Sequence, residues 1–317
     1  MSTLCSFILP AAAALVVTAT SALGMNPQAG DTAAGGGRFV LSMGVSRQET
    51  NLTWSVGPSL EAALSELRYR GLVTNWASIG AAYQLGDRDS DPWVLGCELA
   101  IGDIARGRAR DSDFSHGTET TRVESQVTGT DAWSATIAVG KRWLTSRHGQ
   151  PHWLSLWLGW ERWQQTLRMQ NGTWVISVNP DTTSLSGLDS RYQARWRGIW
   201  AAVEPAFGAG GGHVLLRLAA HVAGSYSADG TWNLRADLAQ PLSFTHSATG
   251  WGYDTQISYE RPLASLLALT VSARYRHLQA GNGPDTTFLA DGTTARLTLR
   301  EMSLGTLGLG VSVAQSF

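Results

Sequence analysis

Leu307-Gly308-Leu309-Gly310-Val311-Ser312-Val313-Ala314-Gln315-Ser316-Phe317 closes the chain. Leu307, Leu309, Val311, Val313 and Phe317 fall on one side of an extended segment; Gly308, Gly310, Ser312, Ala314 and Ser316 fall on the other. Strict period two makes this a β-strand with one apolar face and one small or polar face. In a water-soluble sandwich the apolar face would meet a core. In a membrane barrel it meets lipid, and the small face lines the lumen. The same alternation places Trp251, Tyr253, Ile257 and Tyr259 against Gly252, Asp254, Gln256 and Ser258. It places Leu267, Leu269, Val271 and Tyr275 against Thr270, Ser272, Arg274 and Arg276, and Trp133, Ile137 and Val139 against Ser134, Thr136 and Arg142. Leu67, Tyr69 and Val73 likewise oppose Glu66, Arg68 and Arg70. Charges gather on the small face, as a hydrated, ion-paired lumen requires. The expected fold is all-β: an antiparallel transmembrane β-barrel of about ten strands in the outer membrane of a Gram-negative bacterium.

Composition agrees. The 317 residues include 24 Lys+Arg and 25 Asp+Glu, a net charge of -1, which gives no basic excess for binding nucleic acid. Charged residues make up only 15%, against about 25% in soluble domains, while Trp (14) and Gly (35) are abundant. That apolar and aromatic content excludes a disordered chain. No segment past the N-terminus supplies the ~20 consecutive apolar residues of a membrane helix.

The chain divides into three parts. Phe7 to Val17 is an apolar run, and Ala22-Leu23-Gly24 precedes Met25 as a small-x-small cleavage site, so residues 1–24 are expected to be a signal peptide. Residues 25–37 are a Gly/Ala-rich flexible linker, and residues 38–317 are the barrel. Cys5 falls in the signal. Cys97 is then alone in the mature chain, without a partner for a disulfide. Ten strands are expected at about 38–54, 60–85, 92–106, 123–144, 151–169, 191–207, 213–228, 241–259, 265–280 and 296–317, the second long enough to hide a bulge. Short turns (87–91, 145–150, 208–212, 260–265) alternate with long outer loops (108–122, 171–190, 229–240, 281–295), the pattern of outer-membrane barrels. Trp143 and Trp153, beside the second short turn, are expected to belong to an interfacial aromatic girdle.

Chemistry, if any, is expected at the loops. Asp111-Ser112-Asp113-Phe114 opens the first long loop, and its two carboxylates point the same way from an extended segment. Close carboxylates can share a proton or position a water. A bare Asp-x-Asp is more often a solvated acidic loop.

Ser65-Glu66-Leu67-Arg68-Tyr69, Asn75-Trp76, Asp111-Ser112-Asp113-Phe114, Gly159-Trp160-Glu161-Arg162 and Tyr192-Gln193-Ala194-Arg195-Trp196-Arg197 follow one another in an order that resembles the omptin family. The resemblance runs over residues 60–207 and, in strand layout, to Phe317. It implies a tall ten-stranded outer-membrane barrel and, in active members, an endopeptidase that cuts next to basic residues. In that family a water is held between an Asp-Asp pair and a facing Asp-His pair. Asp111 and Asp113 match the first pair. The second should follow the seventh strand, where this chain reads Ser227-Ala228-Asp229-Gly230-Thr231-Trp232-Asn233-Leu234-Arg235 and places Trp232 and Leu234 at the Asp and His positions. Neither can take a proton from water, and loss of a general base costs at least ~10²–10⁴ in rate. His246, near the top of the eighth strand, is the candidate substitute; His116 and His221 fit a loop and a lumen position. The resemblance also implies that Arg195, helped by Arg162 and Arg168, binds lipopolysaccharide phosphate from the outer face, a contact that suits the guanidinium fork.

No phosphate loop, zinc spacing or nucleophile elbow occurs, so no cofactor or metal is expected. The expected partners are outer-membrane lipid, lipopolysaccharide and an extracellular ligand at the long loops, with no nucleic acid. Two functions follow: a non-proteolytic barrel with a structural, pore (porin-like) or surface-binding role, or an omptin-like endopeptidase with an altered catalytic set. A third, a lipid-modifying barrel enzyme, would need a Ser/His pair at the outer rim that the sequence does not offer.

Overall fold

The structure, a computed structural model, describes residues 37–59, 62–86, 91–147, 150–177 and 183–317. The expected signal peptide, all but Gly37 of the linker, and parts of the turns at 87–91 and 145–150 lie outside these residues. Ten strands follow in order: β1 Arg38–Gly57, β2 Ser65–Leu85, β3 Trp93–Ser115, β4 Thr118–Arg147, β5 Gln150–Ile176, β6 Ser184–Ala209, β7 Gly212–Thr231, β8 Phe244–Ala264, β9 Leu267–Phe288 and β10 Thr294–Ser316. Each pairs antiparallel with its neighbours in sequence, and β1 pairs with β10 to close the ring. The seam runs from Val40↔Ser316 to Gly57↔Thr298. Closure leaves no unpaired edge, as hydrocarbon demands of any spanning sheet.

Strand number and order agree with the sequence reading, but the strands are taller. They run from 20 residues in β1 to 30 in β4, about twice what a bilayer crossing needs. Most of what reads as long outer loops is paired sheet. β3 and β4 continue to a tight turn at His116-Gly117, where both residues have positive φ. β9 reaches Phe288. The reason is physical: above the membrane both faces of a strand no longer need the lumen-versus-lipid pattern, so its sequence signal changes although pairing continues. The bulge expected in the second strand is present, between Arg70 and Val73, with Gly71 at φ 57°.

The change of environment can be read along β1. Phe39, Leu41, Met43 and Val45 point out, and Met43 is 70% exposed. Their inward neighbours are Ser42, Gly44 and Ser46. Beyond residue 46 the faces exchange character without exchanging sides. Arg47, Glu49 and Asn51 point out and are exposed, while Leu52, Trp54 and Val56 point in and are buried. β5 repeats this: Leu154, Leu156, Leu158 and Trp160 face outward, followed by Arg162, Gln164, Thr166 and Arg168. The apolar exterior is the lipid-facing belt; the polar exterior above it stands in water.

The interior is therefore two layers. In the belt, Glu161, His221, Asp254, Arg274 and Arg276 form an ion-paired cluster, with Arg274–Asp254 at 2.6 Å, Arg276–Glu161 at 2.7 Å and His221–Asp254 at 2.8 Å. They enclose a cavity of about 90 Å³ that Glu98, Arg217 and Trp200 also line. Above the belt the interior is an apolar core containing Leu67, Tyr69, Tyr192, Trp196, Tyr226, Leu278 and Met302, all buried. This corrects two expectations. Leu67 and Tyr69 face the inside and their charged neighbours the outside, because on that segment the outside is water. Trp153 is 2% exposed and points into the barrel under Arg142, so it is no girdle residue. Trp143 does face outward, as do Trp93, Phe39 and Phe317.

Cys97 lies on the outward face of β3 between Leu95 and Leu99 and is exposed. A nitroxide attached there in the chain starting at Met25, folded into liposomes, is expected to be reached by oxygen and shielded from an aqueous nickel chelate. The reverse accessibility would overturn the assignment of the belt to hydrocarbon.

Candidate functional site

At the outer mouth a cavity of about 310 Å³ opens inside the ring, lined by the β7–β8 connection and by residues of every strand except β7. Asp111 and Asp113 are on one wall. They sit on β3 itself, not at the start of a loop, in register with Leu67 and Ser65 of β2 and with Val123 and Thr121 of β4. Extended backbone two residues apart turns both carboxylates to the cavity. Asp113 Oδ2 accepts a hydrogen bond from Thr121 Oγ1 at 3.0 Å. Burial, and then the charge of Asp113 beside it, push the Asp111 carboxyl up to about 7; Arg235 offsets this only in part. Arg235 is engaged elsewhere, with Asp237 at 2.7 Å.

His246 lines the same cavity as the acid pair. It lies among the first residues of β8, directly opposite Asp285 of β9, and its Nε2 lies 3.1 Å from Asp285 Oδ1. Its Nδ1 is 3.0 Å from Tyr192 Oη, which also contacts Tyr226 Oη. Trp54 meets the imidazole edge-on with centroids 4.8 Å apart, and Phe244 lies at 5.0 Å. The ring is thus fixed on every side and only 2% exposed. A histidine–carboxylate pair does exist at the mouth, on β8 and β9 rather than on the β7–β8 connection. Asp285 was not singled out in the sequence because its stretch reads as loop. Its signal was available only through the pairing of β8 with β9.

Trp232 and Leu234 both line the cavity. Trp232 packs edge-on against Phe244 at 4.8 Å. A chain of ring contacts therefore runs from Trp232 through Phe244 to His246. No hydrogen bond joins His246 to Asp111 or Asp113 among the described residues. His116 is exposed in the β3–β4 turn, 3.1 Å from Ser115 Oγ, and His221 belongs to the ion-paired interior of the belt. Neither lines the mouth cavity. No group of three or more His, Cys, Asp or Glu suited to a metal occurs among the described residues.

Arg162 and Arg195 are on the outer wall of β5 and β6, just above the apolar belt. Arg162 is directly opposite Arg197, and Arg195 opposite Gln164. Arg162 stacks over Trp133 at 5.2 Å. Arg195 bonds Asp229 at 2.6 Å and also contacts Gln164 and Gln193. Arg168 is paired with Asp189.

A carboxylate whose folded pKa lies above its unfolded value costs stability as pH rises from about 4 to about 7, and the cost stays constant above that range. Asp111→Asn removes it while keeping the size and shape of the side chain. The variant is expected to gain on the order of 2 kcal/mol over wild type at pH 8, and nearly nothing at pH 4, in urea unfolding from detergent or lipid. An equal gain at both pH values would contradict the strained acid pair.

Comparison with solved structures shows the fold. The outer membrane protease OmpT from Escherichia coli aligns with a TM-score of 0.71 at 10% identity, covering 89% of this chain and 96% of that one. The translocator domain of the autotransporter NalP from Neisseria meningitidis (12% identity, 88% of each chain) and OprG from Pseudomonas aeruginosa (7% identity, 89% and 97%) align with TM-scores of 0.36 and 0.35. The likeness to an omptin is thus one of architecture. A search of curated proteins finds no match. A family model described as Pom, Protochlamydia outer membrane protein, matches residues 42–314, from within β1 to within β10. On that match the chain belongs to the Protochlamydia outer membrane protein family, and its ten-stranded barrel resides in a bacterial outer membrane.

Proposed function

We propose that this protein is a closed, non-proteolytic outer-membrane barrel whose mouth cavity receives an extracellular ligand. The observation that carries this reading is Trp232. Its indole lines the cavity together with Asp111 and packs edge-on against Phe244, which lies 5.0 Å from the His246 ring, so aromatic surface lines the space shared by the acid pair and the imidazole. A hydrolytic water needs a base and a reacting carbonyl within hydrogen-bond reach on both sides. The wall instead combines indole and leucine surface with a few polar groups, the composition of a binding pocket. A porin role is disfavoured because the belt interior is filled by ion pairs and by Trp157 and Trp200. Arg162 and Arg197, side by side above the belt, suit contact with lipid phosphate on the outer face, with Arg195 as a third cation already shared with Asp229.

A second reading, an endopeptidase with an altered catalytic set, is favoured by one observation: His246, Asp285, Asp111 and Asp113 all line one cavity. Refolded protein with lipopolysaccharide present and a fluorogenic peptide containing paired basic residues separates the two. No cleavage is expected. Turnover that falls by ~10² or more in both Asp111→Ala and His246→Ala would establish the peptidase instead. In planar bilayers the same protein is expected to show no stepwise conductance; discrete channel openings would displace the closed-barrel reading.

A further inference from the structure

Above the belt the outer wall sets arginine directly opposite arginine four times among the described residues: Arg68↔Arg110 and Arg70↔Arg108 between β2 and β3, and Arg162↔Arg197 and Arg168↔Arg191 between β5 and β6. Like charges opposed across two strands are destabilising. Two of the pairs are relieved by the protein's own carboxylates. Arg168 donates to Asp189 Oδ2 at 2.8 Å, and Arg191 approaches the same oxygen at 4.0 Å. Arg68 donates to Glu66 at 2.9 Å, and Arg110 to Glu119 at 3.0 Å. In a third pair Arg162 is stacked over Trp133. Arg70↔Arg108 has no such relief. Both side chains are exposed, and neither makes an ion pair or hydrogen bond among the described residues. A third guanidinium joins them. Ile104 is buried and points inward, so period two would turn Arg106 inward as well. The register instead slips between Ile104 and Gly107, and Ala105 and Arg106 are both exposed. This bulge swings Arg106 onto the outer wall beside Arg108, again without an ion pair among the described residues. The outward acids of the neighbouring segments, Glu49 on β1, Asp103 on β3 and Glu124 on β4, are exposed and bond none of the three.

We propose that Arg70, Arg106 and Arg108 form a binding site for a phosphate monoester borne on a sugar. The Asp189 site shows what this wall does with an opposed arginine pair: an anionic oxygen is set between the two guanidinium groups. Where the protein supplies no such oxygen, an external anion takes the place. Three guanidinium groups match a phosphate monoester, with nearly two charges and three free oxygens, better than a carboxylate with one charge and two. Height selects the carrier. Arg106 and Arg108 follow Ile101, which is 70% exposed in the belt, along the same strand. At ~3.3 Å per residue and a tilt of about 40° they stand about 12–18 Å above it. The headgroup layer of a glycerophospholipid is only about 5–7 Å deep, so its phosphate lies below the site. A sugar phosphate reaches it, either free in solution or as the headgroup of an outer-leaflet glycolipid. The site is on the outside of the ring and does not depend on the mouth cavity.

Arginine modification by phenylglyoxal, read residue by residue by mass spectrometry on the barrel refolded in phosphatidylcholine liposomes, tests the site. One arm adds glucose 6-phosphate; the other builds lipopolysaccharide into the bilayer. In at least one arm, near saturation, modification of Arg70, Arg106 and Arg108 is expected to slow roughly tenfold. Arg47 is the internal control. It is exposed above the belt on β1 but faces Asn75 and Leu309, and its rate is expected to stay unchanged. Protection by glucose 6-phosphate assigns a soluble ligand, and protection by lipopolysaccharide alone assigns the glycolipid headgroup. Arg108→Gln, a surface change that leaves the fold intact, is expected to remove the protection of Arg70 and Arg106. No protection in either arm, equal slowing of Arg47, or protection that persists in Arg108→Gln would overturn the proposal.

Discussion

Hydrocarbon offers a peptide group no partner. Every N–H and C=O that crosses it must be bonded inside the protein, or several kcal/mol are lost for each group left bare. For an extended chain the only complete solution is a ring, and here the ring closes where β1 meets β10 along nearly the full height of both strands. Alternation within each strand follows from that closure: once both edges are paired, side chains can point only to lipid or to the inside. The small and polar inward face of the belt follows in turn, because ten strands leave a narrow interior that charged side chains fill by pairing with one another.

The second determinant is the boundary where lipid gives way to water. The sheet crosses it without interruption, and the sequence responds by exchanging the character of the two faces. On β1 this happens between Ser46 and Leu52, and on β5 between Trp160 and Leu167. Below the boundary the molecule is apolar outside and ionic inside. Above it the molecule resembles a soluble barrel with its own core of tyrosine, tryptophan and leucine. The mouth cavity sits on top of that core, which explains how an imidazole, two phenols and an indole ring can be held together so rigidly at the outer end of a membrane protein.

This division also explains what the sequence disclosed. Period two from Leu307 to Phe317, and again around Trp251 and Leu267, was enough to give strand count, order and membrane placement, because lipid imposes one rule on every strand. The upper third was less legible. Leu67 and Tyr69 alternate as cleanly as Leu307 and Leu309, but alternation does not say which side is wet. Asp111 and Asp113 were recognisable as a pair, and His246 as a residue near the same rim. Asp285 was not, since only the register between β8 and β9 brings it to the imidazole. The role of Trp232 was likewise hidden. As a letter in a family pattern it marks a missing acid, whereas in three dimensions it is part of the aromatic wall of the mouth cavity, packed on Phe244.

The β1–β10 seam has one more consequence, for biogenesis. The first strand to leave the ribosome finds its second partner only after the last has been synthesised, so no nascent fragment can be a finished wall. The closing pair can therefore form only once the whole barrel sequence has reached the membrane. A loss of the final strand would expose β1 and β9 as two bare edges, and the remaining nine strands would have no stable place in either water or lipid.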